Sequence, residues 1–419
     1  MIISEQYHFA SKRILERCEI LAKISSIDGG ISRAFLTPQH AEVNAQVVQW
    51  MEAAGLNSWQ DAIGNQWGRY EGSSVDAPTL IIGSHLDTVP NAGRYDGILG
   101  VLLAIELVSE LHQQKKRLPF AIEVVGFGDE EGVRFGTAMM GSKTVAGLWQ
   151  DSWLDLTDDN EQSLREALIE FGLNPEQTTK ACRANDNLLG FWEAHIEQGP
   201  VLEAEDLPVG IVTGIAGARR STIRLTGRTG HSGTTPMRLR RDALAGAAEI
   251  TLAIEKIAKS VGGDVVATVG QIFARPGAVN VIAGDAIVSL DLRSQSDNTR
   301  EKVLEAINDA VETIAARRHL TMLWTHNHKA KAVLCDQFFQ QLFSQSIAQT
   351  SQSFLPIKFL PSGAGHDAMA MAEICPTAML FIRSPGGISH HPDEGVVPED
   401  VAFALGVLSR SLNLLVENF

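Results

Sequence analysis

The sequence predicts an α/β protein interrupted by an inserted α+β block, and three observations predict it. Apolar runs such as Thr79–Ile82 lead into polar loops and then into apolar helices, the texture of an open α/β sheet. From about Gly210 the order changes to β-β-α-β-β-α, which suits a small sandwich with an antiparallel sheet. After about residue 330 the first texture returns, with a buried strand at Ala378–Ile382 and a closing helix at Val401–Leu415. A chain of 419 residues is too long for one ordinary core. The boundaries fall near 212 and 330, giving a discontinuous domain of residues 1–212 and 330–419 around an inserted domain of 213–329.

Taken in order, residues 8–28 place Ile14, Cys18, Leu21 and Ile24 at helical spacing, an amphipathic surface helix. Thr37-Pro38 reads as an N-cap with proline in the first turn, opening a helix to about Ala54. Ser58–Tyr70 reads as strand, turn at Gly64-Asn65, and strand. Thr79–Gly100 is the organising stretch. It gives a buried strand that releases His85 and Asp87, a turn that presents Asp96, and a helix at Ile98–Leu107. Phe120–Gly128 is a second buried strand and ends in Asp129-Glu130-Glu131. Residues 150–190 are polar and helical, with no chemistry apparent. Phe191–Pro200 carries His195 and Glu197, which share a face of an extended chain. In the changed texture the strands are Val209–Thr213, Ser221–Leu225, Asp264–Phe273 and Ala286–Arg293, with helices at Arg241–Ser260 and Asp297–Arg317.

Composition excludes several classes of function. A formal net charge of −15 argues against nucleic acid or an anionic membrane surface as partner. The longest apolar runs, about ten residues, fall short of a membrane span. The N-terminus has no basic segment leading into an apolar core, so no signal peptide is expected. Cys18, Cys182, Cys335 and Cys375 are scattered, without metal or disulfide spacing, and point to a reducing cytoplasm.

The residues that carry chemistry, all but His195, lie clearly just after strands, where ligands collect in open α/β sheets. Candidate metal ligands are His85, Asp96, Glu130 or Glu131, His195 and His390. Asp87 could ligate directly or orient an imidazole. Imidazole with carboxylate and no thiolate suits Zn²⁺, Mn²⁺, Co²⁺ or Ni²⁺. One shared carboxylate would make a two-metal hydrolytic centre. Successive side chains of an extended chain point opposite ways, so Glu130 and Glu131 should differ in task. No GxSxG, HExxH, phosphate loop or GxGxxG after a strand supports a competing chemistry. The inserted block adds Arg219-Arg220, a turn-rich loop with His231, Asn280, and Arg293 at a strand end, and arginine forks suit carboxylates.

The segments GSHLDTV, GRYDGILG, DEEGVRFG, EAHIEQGP, GHSGTTPMRLRRDA, PGAVNV, DLR, SGAGHDAM and GGISHHPDE follow one another from residue 83 to residue 394. Together they resemble the M20 metallopeptidase superfamily, and more narrowly its hydantoinase/carbamoylase branch. The resemblance implies a di-metal catalytic domain with a doubly wound mixed sheet, and an inserted α+β domain that acts as lid and dimer interface. It implies that His85, Asp96 and His195 hold one ion and that Asp96, Glu131 and His390 hold the other. Glu130 would be the general base, and Asp87 would support the metal centre from behind. His231 would stabilise the oxyanion, reaching a partner subunit's site in a homodimer. Arg220, Asn280 and Arg293 would grip a substrate carboxylate, with Gln198 as a further substrate contact. Two divalent ions per subunit are expected, Mn²⁺ first, with Zn²⁺, Co²⁺ or Ni²⁺ as alternatives. The implied substrate is a small ureido compound with a carboxylate, allantoate before an N-carbamoyl-L-amino acid. Ureidoglycolate, an N-acyl amino acid and a non-catalytic binding role are more distant. Ser232 departs from the alanine common in the branch's HAGTTP motif.

Overall fold

The computed structural model describes residues 4–351 and 355–419. The chain forms two compact units. The larger comprises Met1–Thr213, Cys335–Leu360 and Gly365–Phe419, and the smaller Gly214–Leu334 with Pro361–Ala364. The exchange points lie a few residues from 212 and 330, and the short return of Pro361–Ala364 to the smaller unit has no sequence signal.

In the larger unit the strands lie in the order Asn57–Gln60, Gln66–Tyr70, Ala121–Phe127, Thr79–His85, Leu188–Ile196, Thr377–Ile382, Val209–Ile215. The middle four run parallel. Gln66–Tyr70 and Val209–Ile215 flank them antiparallel. The parallel strands read as unbroken apolar runs because both of their faces are covered. Leu80, Ile82, Ile122 and Val124 pack with Ile14, Val101, Leu102, Phe343 and Leu405 from helices Glu5–Ala22, Ile98–Gln113, Gln337–Thr350 and Pro398–Glu417. A second cluster of Phe35, Ile63, Met140, Trp153, Leu164 and Leu168 draws on residues 150–190, where Ser163 and Glu166 form a capping box on a short helix. Thr37 caps helix Pro38–Ala53 by accepting from His40 N.

The smaller unit has an antiparallel sheet in the order Ile272–Arg275, Asp285–Ser294, Gly217–Thr226, Thr321–Ala330, with Val266–Thr268 also against Asp285–Ser294. Burial alternates strictly along Asp285–Ser294. Val288, Leu290 and Leu292 face inward with Ile223 and Leu225, under helices Ala243–Val261 and Asp297–Arg317 that contribute Ile250, Ile254 and Ile307. The opposite face is open and holds Ser289, Asp291 and Arg293.

Three sequence expectations change. Val209–Ile215 belongs to the larger sheet, where it pairs with Thr377–Ile382 as an antiparallel return. Asp264–Phe273 is two short strands, Val266–Thr268 and Ile272–Arg275. Thr321–Ala330 is a strand the sequence conceals, since TMLWTHNHKA sits on an edge, mostly exposed, and needs only Met322 and Trp324 as apolar contacts. Among the described residues no helix is long and apolar enough to cross a membrane, and all four cysteines are free.

Candidate metal centre and active site

Parallel pairing aligns the strands whose ends carry the ligands. His85 ends its strand opposite Phe127, the last residue of its neighbour. His195 lies opposite Phe381, one residue before that strand ends. The loops after these strands supply Asp96, Glu130, Glu131 and His390. All of these residues belong to the larger unit.

Their donor atoms converge in two groups that share Asp96. His85, Asp96 and His195 form one, and Asp96, Glu131 and His390 the other, with ligand atoms within 4.8 Å of one another in each. Asp96 Oδ1 lies 3.6 Å from His85 Nε2 and 3.1 Å from His195 Nε2. Its Oδ2 lies 3.0 Å from His390 Nε2, which is also 3.3 Å from Glu131 Oε1. Gly97 admits this packing, since a Cβ there would meet the His85 ring at 2.5 Å.

The ring nitrogens show what the site is built to hold. His85 Nδ1 is 3.0 Å from the Asp87 carbonyl, and His195 Nδ1 is 2.9 Å from the Ile196 carbonyl. A carbonyl only accepts, so each Nδ1 carries a proton, and with a metal ion bound each neutral ring would turn the lone pair of Nε2 toward it beside Asp96. His195 Nε2 is buried and makes no satisfactory hydrogen bond. A lone pair facing a carboxylate oxygen needs a cation between them. This donor set, oxygen and imidazole nitrogen without sulfur, fits two divalent metal ions.

Charge in the metal-free centre follows the same geometry. Burial works to raise the Asp96 carboxyl, but the facing imidazoles of His195, His390 and His85, all raised in the absence of metal, prevail and hold it well below the usual carboxylate range. His390, hydrogen-bonded by Asp96 and Glu131, is pushed up to about 10. Burial lifts the Glu130 carboxyl well above its ordinary value against the pull of His85, with Glu131, Asp367 and Asp87 adding to the rise.

Asp87 clamps the acidic turn. Its Oδ1 accepts from Glu130 N at 3.1 Å and its Oδ2 from Glu131 N at 3.2 Å. The hydrogen-bond partner of His85 is thus the Asp87 main chain, while the carboxylate that clamps the turn keeps its Oδ1 3.7 Å from the same Nδ1. Strict alternation does not separate Glu130 from Glu131. The strand has ended at Phe127, and Asp129 turns the chain at φ 63°, so both carboxylates come near His85. Gln198, at φ 56°, donates from Nε2 to Asp96 Oδ2 at 3.0 Å and to Ser389 Oγ at 3.1 Å.

In the smaller unit the remaining residues form two separate groups. Arg220 and Asp291 are registered partners across two strands, and Arg293 lies two residues along the same face. Asp291 accepts from Arg220 Nε at 3.1 Å and from Arg293 Nε and Nη2 at 2.9 and 2.8 Å. They line a cleft of about 750 Å³ with Thr222, Gln271 and Asn327. His231 and Asn280 sit instead beside a two-residue ribbon, Gly230–His231 against Val281–Ile282, where the Asn280 carbonyl accepts from Ser232 N. Gly233 N donates to His231 Nδ1 at 3.0 Å, so the neutral ring carries its proton on Nε2.

The peptidase family M20/M25/M40 model matches residues 81–414. The chain belongs to this family. Allantoate deiminase 1 of Glycine max is 38% identical, over 94% of this chain and 87% of its own length. An N-carbamoyl-L-amino acid amidohydrolase of Geobacillus stearothermophilus is 40% identical, over 96% of each. The crystal structure of a hydantoinase/carbamoylase family amidase from Burkholderia multivorans superposes with a TM-score of 0.90 at 33% identity, covering 96% of this chain and 97% of that one. This M20 protein is a hydrolase acting on carbon–nitrogen bonds, of the kind that cleaves carbamoyl or ureido groups.

Several supporting residues of the M20 site had no role in the sequence reading. Glu193 accepts from Ser84 Oγ at 2.7 Å and from Ala368 N at 3.1 Å, and groups with His195 and His366. Its signal was the two-residue spacing to His195 on one strand. Ser389 and Glu394 stood in GGISHHPDE with nothing to show what they touch. Arg33, fully buried, donates to the carbonyls of Leu21, Ile24 and Leu86 and braces the strand exit that bears Asp87. No local pattern marks it.

Proposed function

We propose that this M20 hydrolase cleaves the ureido carbon–nitrogen bond of allantoate, releasing ammonia and carbon dioxide in purine-ureide breakdown. The observation that carries the reading is a di-metal donor set, buried except for Glu131 and His390, in a chain that also carries two guanidinium groups on an open sheet face and is 38% identical to an allantoate deiminase. A second reading, an N-carbamoyl-L-amino acid as substrate, is favoured by the 40% identity to an amidohydrolase of that name. Both substrates carry a ureido group and a carboxylate. Within this reading the enzyme is a cytoplasmic homodimer that associates through the smaller unit.

Two divalent cations, Mn²⁺ in our reading, held by His85, Asp96 and His195 and by Asp96, Glu131 and His390, would acidify water and polarise the ureido carbonyl. Glu130 accepts the proton and returns it to the leaving nitrogen. In the metal-free protein burial raises its carboxyl well above the ordinary value. Asp87 fixes the main chain on which Glu130 stands. Arg220 and Arg293 orient the substrate carboxylate, Asn280 contacts substrate from its separate place beside His231, and Gln198 keeps Asp96 in place while presenting its amide to substrate. His231 offers its Nε2 proton to the oxyanion.

Ammonia release by Mn²⁺-loaded protein tests the reading, with allantoate and a panel of N-carbamoyl-L-amino acids at equal concentration. Higher kcat/KM for allantoate is the expected result. Preference for a carbamoyl amino acid transfers the same site to the second reading. No release from either overturns both.

A further inference from the structure

Asp96 and His390 stand on loops almost 300 residues apart in sequence, and neither lies in a strand. Sheet pairing fixes His85 and His195, but it does not fix these two. Something else must hold the two loops in register, because a metal site tolerates little error in ligand position.

We infer that Glu394 is the positioning residue that staples these loops and sets the second metal position, an inference that rests on the dinuclear reading above. Glu394 is buried. Its Oε1 accepts from Tyr95 N at 2.8 Å and from Asp96 N at 3.2 Å, which fixes the main chain of the first loop. Its Oε2 is 3.0 Å from Ser389 Oγ in the second loop. Ser389 Oγ is also 3.1 Å from Asp96 Oδ2 and accepts from Gln198 Nε2. One carboxylate therefore governs the main chain of Asp96, and through Ser389 its side chain. Ser389 directly precedes His390, which is held at φ 56°. Gly93 leaves room for the staple, since a Cβ there would lie 2.2 Å from the Glu394 carboxyl. Glu394 touches no candidate metal ligand through a ligating contact of its own. Its effect passes through the loop main chain and the Ser389 hydroxyl.

The test is calorimetric titration of chelator-treated protein with Mn²⁺, comparing wild type, Glu394→Ala, Glu394→Gln and Ser389→Ala. Wild type is expected to take up two ions. Glu394→Ala should weaken the ion at the Glu131 and His390 position by about 10- to 100-fold, the usual cost of losing a group that orients ligands, and the other by a smaller factor, since both share Asp96. Glu394→Gln keeps an acceptor for the loop amides and should recover most of that loss, which a purely structural role does not predict. Ser389→Ala removes only the relay hydroxyl and should weaken the same ion by a smaller factor, so the inference stays testable if Glu394→Ala does not fold. If wild type binds two ions and the Glu394→Ala and Ser389→Ala proteins bind both as tightly, the staple is refuted and the dinuclear reading stands. If wild type binds no ion, the dinuclear reading fails and the staple falls with it.

Discussion

The two units handle their charged residues in opposite ways. In the larger unit His85, Asp96 and His195 are 2%, 5% and 1% exposed, each held by a hydrogen bond that involves the main chain, and His390 is the one exposed candidate ligand. In the smaller unit Arg220 and His231 are exposed, and Arg293 is partly so. Buried charge is costly unless it is paired, so the larger unit's centre must be assembled before any ligand arrives. Asp291 illustrates the other case. Burial works to raise its carboxyl, but Arg293 and Arg220 hold it below its ordinary value while leaving their guanidinium groups accessible. The contrast suggests a division between a fixed reaction centre and an adaptable recognition surface.

The sharpest way to break that division is Glu130→Gln. The amide keeps the shape but does not take up the proton, so kcat should fall about 10²- to 10⁴-fold with Mn²⁺ content unchanged. Metal analysis alongside turnover would check this, and full activity would remove Glu130 from the chemistry. Next in size is Arg293→Ala, which removes hydrogen bonds to a charged group worth about 1.5–3 kcal/mol. A fall of about 10- to 100-fold in kcat/KM is expected for carboxylate-bearing substrates, with metal uptake intact. An equal loss for an uncharged ureido analogue would mean that Arg293 serves the fold and not recognition.

The smallest effect, taken over a single pH unit, is a graded one with pH. In the metal-free protein His390 is raised from its ordinary 6.5 to about 10 by Asp96 and Glu131. Its protonation therefore stabilises the metal-free fold fully below about pH 6.5, and that contribution is lost as pH rises through about 10. A metal ion competes with that proton, so Mn²⁺ affinity should rise by up to about tenfold per pH unit across the window. Titrations at pH 7 and 8 in two buffers of different ionisation enthalpy would detect the released proton. An affinity independent of pH would show that His390 does not ligate.

The buried parallel strands, the helix capped by Thr37 and the residue types of the candidate metal centre were legible in the sequence. Long apolar runs and fixed post-strand positions are local signals, and His85, Asp96, Glu131, His195 and His390 follow from them with the motif resemblance. What lay out of reach depends on contacts distant in sequence or on backbone turns without a pattern. Thr321–Ala330 is a strand because Gly217–Thr226 pairs with it, not because of its own composition. The left-handed turns at Asp129, Gln198 and His390, each costing about 1–2 kcal/mol, are announced by no local pattern. Glu394 reads as one acid among many until folding sets it beneath Tyr95 and Asp96. The sequence by itself determined which side chains could bind cations and which strands would carry them. The tertiary structure decided their aim, because the direction of a ring nitrogen or a carboxylate is set by partners that the chain brings together only on folding.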